Sequence, residues 1–163
     1  MKDHNPLWEF AVKIYFRKGV SEILLQAQDH FSLDINMILY SAWLASENRR
    51  LSTKNVSEVE NLVALWRREV IEPLRGLRIS FKAISGADLI REDVKKIEVR
   101  AEKEQLRIMY NSFLETSSAD PNELKENLLD SNLRSLSAIG FEDESMLVRI
   151  KNVLAEKMDW HIS

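Results

Sequence analysis

The sequence has no cysteine. Disulfides, thiolate metal sites and cysteine nucleophiles are thereby excluded, and the chain suits a reducing compartment such as the cytoplasm. Four glycines and three prolines in 163 residues are few. Sandwiches and barrels need many turns, so this scarcity points to long helices and short connections. Four scattered glycines also cannot build a phosphate-binding loop or a dinucleotide fingerprint, and no Gly-x-Ser-x-Gly elbow is present. The three histidines, His4, His30 and His161, stand apart, without His-Glu-x-x-His or Glu-x-x-His spacing. The sequence therefore points to no metal site and to no cofactor. With no histidine placed near a serine, the usual nucleophile–base pairs also lack a candidate.

Positive charge is not in excess either. The net charge is −3 and the pI about 5.7, which gives no general pull toward nucleic acid. No apolar run approaches the ~20 residues of a membrane-spanning helix. The opening "MKDHNPLWEF" has no apolar core or small-residue cleavage site, so neither a signal peptide nor a membrane anchor is expected.

What is there is hydrophobic content of 45% and charged content of 30%, enough for a globular core. A chain this long buries roughly two thirds of its unfolded surface and needs no staple to fold. Asn5-Pro6 reads as a helix start, with Leu7, Phe10, Ala11 and Ile14 on one face and Gly19 beyond the end. A second helix is predicted over 20–30. Then "HFSLDINMILYSAWLA", residues 30–45, places a capping Asp34 before a helix that is apolar nearly all round. Such a helix lies at the centre of a bundle. "ENRRLSTKNVSE", residues 47–58, reads as a polar connection with Asn55 or Ser57 as the next cap. Pro73 predicts a kink or a fresh start near Glu72.

Residues 88–115 hold no Gly or Pro and predict one helix of roughly 42 Å. Its apolar seam, Ile90, Val94, Ile97, Ala101 and Ile108, is broken at Glu104-Gln105. Asp120-Pro121-Asn122-Glu123 reads as a capping box opening a C-terminal helical hairpin over about 120–160, with helices at about 121–138 and 144–160. Residues 115–144 carry eight acids against Lys125 and Arg134, a balance of −6. The expectation is a single all-α domain: a bundle of seven or eight helices, with a core at about 5–84, a long helix near 88–115 and the acidic hairpin.

Two groups of polar residues invite a function. Gln26, Gln28, Asp29, Asp34, Asn36 and Tyr40 gather at the junction of the second and third helices. They read either as a ligand pocket, with Asp29 or Asp34 as base, or as a cap and turn ties. Caps and ties are the commoner use of such residues. Arg75, Arg78 and Lys82, with Arg67 and Arg68 a turn or two earlier, form a basic stripe. It reads as a surface for an anion, RNA or an acidic partner, as a face neutralised by Glu69 and Glu72, or as a dock for the acidic C-terminal part. No aromatic residues interleave with these charges, which argues against RNA. Trp8, Trp43 and Trp66 lie on apolar faces and read as core, whereas Trp160, near the C-terminus, could serve a partner surface.

The order of "LWEFAVKIYFRKGVSEILLQAQDHFSLDINMILYSAWLA" and "WRREVIEPLRGLR" resembles a family of small, uncharacterised proteobacterial proteins. The resemblance spans about 7–115 and implies an all-helical cytoplasmic protein; it implies no activity. Family members place a Gly before the Asp of Asp-x-Asn, where this chain has Phe31-Ser32-Leu33. With every common catalytic constellation missing, the leading expectation is a non-enzymatic protein-interaction or adaptor protein with a protein partner, and a possible homodimer through the long helix. The alternative is a small-molecule-binding protein, or a metal-independent enzyme, using the pocket near Asp34, Asn36 and Tyr40.

Overall fold

The computed structural model describes residues 4–158. It is all-α, with almost no strand. Helix α1 (Pro6–Tyr15) starts as its sequence predicts: Asn5 accepts from the Trp8 N–H at 3.0 Å, and Pro6 follows the cap. Gly19, at φ +87°, turns the chain into α2 (Val20–Phe31). Glycine reaches this left-handed conformation without steric cost. Ser32 then closes α2 at φ 53°, a left-handed conformation that glycine takes more easily than serine.

Asp34 caps α3 (Ile35–Ser46), accepting from the Asn36 N–H at 2.9 Å. From Met37 to Ala45 every residue of α3 is buried. Helices α1 and α2 pack on it from one part of the chain and α7 (Lys125–Arg134) from another. It is the central helix that its all-round apolarity predicts.

The polar connection after α3 is more ordered than its composition suggests. Arg49–Arg50 forms a short strand, β1, paired antiparallel with β2 (Ser117–Ser118). Ser52, rather than Asn55 or Ser57, caps α4 (Thr53–Trp66); Asn55 is the reciprocal partner, accepting from the Ser52 N–H at 3.2 Å. Ser-x-x-Asn satisfies two orphan donors together, which neither later residue could do alone.

A π-turn, Arg67–Ile71, joins α4 to α5 (Glu72–Phe81), with the Glu72 N–H bonded to the Arg67 carbonyl. The interruption at Pro73 thus takes the form of one widened turn, because Pro cannot donate to the preceding turn. The long helix α6 (Asp88–Asn111) stops short of the predicted 115. A 3₁₀ turn, Phe113–Glu115, follows. Arg49 explains the stop. Its guanidinium donates to the carbonyls of Phe113 (3.2 Å), Leu114 (3.3 Å) and Thr116, drawing the chain back toward β1.

The predicted box at 120–123 does not open a helix. Asp120 accepts from the Asn122 N–H at 2.8 Å in a tight turn, and Glu123 pairs with Arg50 instead of returning to the cap. Helix α7 therefore begins at Lys125 and runs into a 3₁₀ segment, Ser135–Ile139. Gly140, at φ +87°, precedes α8 (Glu144–Lys157), which Asp143 caps. The C-terminal hairpin is built into the bundle. One hydrophobic cluster runs from Leu7 through α3 to Leu154 and Met158.

Fully buried Asn132 on α7 fastens this closure. Its Oδ1 accepts from the Leu51 N–H at 2.8 Å, and its Nδ2 donates to the carbonyls of Ser41 (3.2 Å) and Arg49 (3.0 Å). Asn132→Leu, of similar bulk, strands one buried donor and two acceptors. It is expected to cost about 3 kcal/mol in urea unfolding, and a loss below about 1 kcal/mol would show that the contacts are replaceable.

Candidate functional site

A groove of about 890 Å³ opens between α1–α2 on one side and the π-turn, α5 and α6 on the other. That volume is within the range of sites for small-molecule ligands. Apolar side chains that are partly or well exposed line it: Val12 from α1 and Phe16 just past its end, Leu25 from α2, Ile79 from α5 and Val99 from α6. Against this apolar surface lies a connected set of polar groups.

The set starts at Asp34. One carboxylate oxygen caps α3. The other accepts from Arg67 Nε at 2.8 Å and from Gln105 Nε2 at 2.6 Å. Arg67 also grips Glu60 with both terminal nitrogens, at 2.7 and 2.9 Å. Burial works against the Arg67 charge, but Glu60 and Asp34 outweigh it and raise its pKa. The π-turn matters here, since Arg67 begins it and Ile71, one α-turn on, also lines the groove. Widened turns of this kind recur at functional sites.

A second cluster ties α5 to α6. Arg75 Nε and Arg78 Nη2 both donate to Glu98 Oε1, at 3.3 and 3.2 Å, and Arg78 Nε pairs with Glu98 Oε2. Arg75 reaches Glu102 at 3.1 Å. Burial raises the Glu102 pKa; Arg75 opposes this, while Glu98 and Asp34 add to it. Burial and the neighbouring Glu102 likewise raise that of Tyr15, on the facing helix. Gln105 is fully buried, and with its nitrogen fixed on Asp34 its Oε1 has no hydrogen-bond partner among the described residues.

The structure brings Asp34 and Asn36 to the groove, beside Gln28, Arg67, Arg75 and Arg78. Tyr40 lies elsewhere: it is buried in the core, stacked on Trp43 at 6.2 Å, and burial pushes its pKa up. Gln26 accepts from Arg149 at 2.7 Å, tying α2 to α8, and Asp29 is exposed outside the groove. Arg68 is exposed beside Glu69, and Lys82 is exposed at the end of α5. The acidic C-terminal part packs on α2, α3 and α4, away from the arginine stripe. Trp160 lies outside the described residues.

Sequence reasoning missed Tyr15, Glu98, Glu102 and Gln105. The break in the α6 seam at Glu104-Gln105 was the available signal: a polar residue at a core-facing position must find a buried partner. Among the described residues no three His, Asp or Glu side chains are grouped to hold a metal ion, and no helix is long and apolar enough to cross a membrane.

Two outcomes follow from this geometry. Asp34→Ala removes a cap, a carboxylate that Arg67 shares with Glu60, and the carboxylate that holds the Gln105 amide. It is expected to cost about 3 kcal/mol in urea unfolding, against about 1 kcal/mol for cap loss alone. Glu102 carries a raised pKa, so folding takes up protons there and its contribution falls as pH rises through that range. Glu102→Gln removes that term. The stability of the variant relative to wild type should rise from about pH 4 upward and then level off; a relative stability that falls with pH would reverse the sign.

Against known proteins, no curated protein and no solved structure is significantly similar to the chain. A family model, described as a protein of unknown function (DUF2390), matches residues 6–109, a span that contains every residue lining the groove. The chain belongs to the DUF2390 family.

Proposed function

We propose that the protein is a non-enzymatic binding protein that holds an amphipathic ligand in the groove between α1–α2 and α5–α6. One observation carries the reading: a broad apolar groove converges on polar groups, and the buried Gln105 carbonyl among them is unpartnered among the described residues. A buried acceptor left open costs free energy that a ligand donor would recover. The reading places the protein in the cytoplasm of a proteobacterium, supported by the lack of cysteine and by the sequence resemblance.

A second reading, an adaptor that meets a protein partner or a second copy of the chain, is supported by a different surface. Leu62 and Leu65 on α4, Leu77 on α5 and Leu89, Ile90 and Ile97 on α6 are all well exposed. Large apolar side chains standing in solvent are the material of protein–protein contacts.

A thermal-shift screen against a metabolite library separates the two. Ligand well above its Kd is expected to raise the wild-type Tm by about 5 °C or more. The shift should survive Leu89→Glu/Ile97→Glu and vanish in Leu25→Glu/Val99→Glu, whose positions are already partly exposed. A screen without hits, or hits that the groove pair retains, would overturn the groove reading. Hits lost only in the Leu89/Ile97 pair would favour the second.

A further inference from the structure

The groove reading leaves the ligand's chemistry open, and the charges around its buried end narrow it. The charged residues lining the groove are Asp34, Glu72, Glu98 and Glu102 against Arg67, Arg75, Arg78 and Lys95, an even balance, with Glu60 sharing Arg67 from outside the lining. Lys95 stands ten residues along α6 from Gln105, roughly 15 Å away, so the charges beside Gln105 itself are the Asp34 and Glu102 carboxylates. The arginines are already committed. Arg67 is shared by Asp34 and Glu60, Arg78 is held by Glu98, and Arg75 divides between Glu98 and Glu102.

Glu102 receives one hydrogen bond, from Arg75. One turn along α6, Gln105 is wholly buried at the wall of the groove, and its Oε1 has no partner among the described residues. Its orientation is not arbitrary. Turning the amide over would set an oxygen against the Asp34 carboxylate, so the carbonyl must be the free end. What this end lacks is a donor with positive charge. An anion would meet Asp34 and Glu102, and a bare apolar group would leave the Gln105 acceptor stranded. Tyr15 and Trp8 line the same groove, and aromatic faces favour an organic cation.

We propose that the groove binds an organic cation: a protonated amine, or a group of like donor chemistry, seated among Gln105, Glu102 and Asp34, with an aliphatic body against Val12, Leu25 and Val99. This rests on the groove reading and names the class of ligand within it. The cationic nitrogen donates to Gln105 Oε1 and to the Glu102 carboxylate. The aliphatic body covers side chains that stand exposed in the empty groove.

Three probes of one length test it: n-hexylammonium, n-hexanol and n-hexanoate, each titrated into the ¹⁵N-labelled full chain and followed by amide shifts. The expected result is saturable binding of hexylammonium at α1, α2 and α6 amides, with hexanol and hexanoate at least about tenfold weaker, the discrimination a charge-assisted hydrogen bond supplies. Glu102→Gln keeps the side-chain shape and an acceptor for Arg75. It should weaken hexylammonium about tenfold and leave hexanol unchanged. Nα-acetyllysine amide, run in parallel, distinguishes a free amine from a partner's lysine; tighter binding of the lysine compound would assign the cation to a polypeptide and overturn the small-molecule form. Equal or tighter binding of hexanol or hexanoate at the same amides would overturn the cation assignment and leave the groove reading standing. Failure of all three probes to perturb groove amides would overturn both.

Discussion

Asp34 is a single carboxylate shared by three elements. It caps α3, it balances Arg67 in the π-turn, and it holds the Gln105 amide on α6. Each contact alone is ordinary. Together they fix where the buried central helix begins, how the α4–α5 turn sits against it, and how α6 lies across both. The groove exists because these elements meet at one polar point instead of closing over it with apolar side chains. A core packed to the same place by hydrophobic contacts would have no reason to leave Gln105 half-satisfied.

The arm formed by α5 and the first half of α6 obeys a different balance. No residue of α5 is buried, and the first half of α6 buries little beyond Val94 and Glu98. Its cohesion comes from Arg75 and Arg78 against Glu98 and Glu102, pairs partly sheltered from solvent. Ion pairs that are partly wet contribute less than a packed core. The arm is therefore the less stable side of the groove, and the one best suited to adjust to an occupant. Helix α3, with its continuous burial, is the rigid side.

How much of this the sequence disclosed follows from how local each interaction is. The caps at Asn5 and Asp34 act within three residues, and the chain shows them as written. The burial of α3 is also visible, since a helix apolar on all sides has nowhere else to go. The interruption at Pro73 was readable, although its resolution as a π-turn was not. What the chain conceals is contact between distant segments. Arg49 looks like one more charge in a polar linker, but its value lies in carbonyls more than sixty residues away. Glu123 completes a local motif on paper, and Arg50 removes it from that motif. Arg75 and Arg78 have the spacing of a solvated stripe, and only the antiparallel return of α6 shows that they face acids. The candidate site is half local, in Asp34 and Asn36, and half remote, in Glu98, Glu102 and Gln105; the local half was the legible one, and Arg67 showed as part of a basic stripe but not as the partner of Asp34.

The span matched by the family, 6–109, contains the whole groove and stops before the 3₁₀ turn, β2 and the C-terminal hairpin. Yet the matched span cannot bury α3 by itself. Leu128, Leu129 and Leu133 of α7 belong to the same cluster as Leu39 and Leu44, and Asn132 satisfies backbone groups on both sides of β1. The two parts thus divide the work physically. Residues that shape the groove need particular polar chemistry at particular positions, in Asp34, Arg67 and Gln105. Residues that seal the far side of α3 need mainly bulk and helical spacing, which many sequences supply.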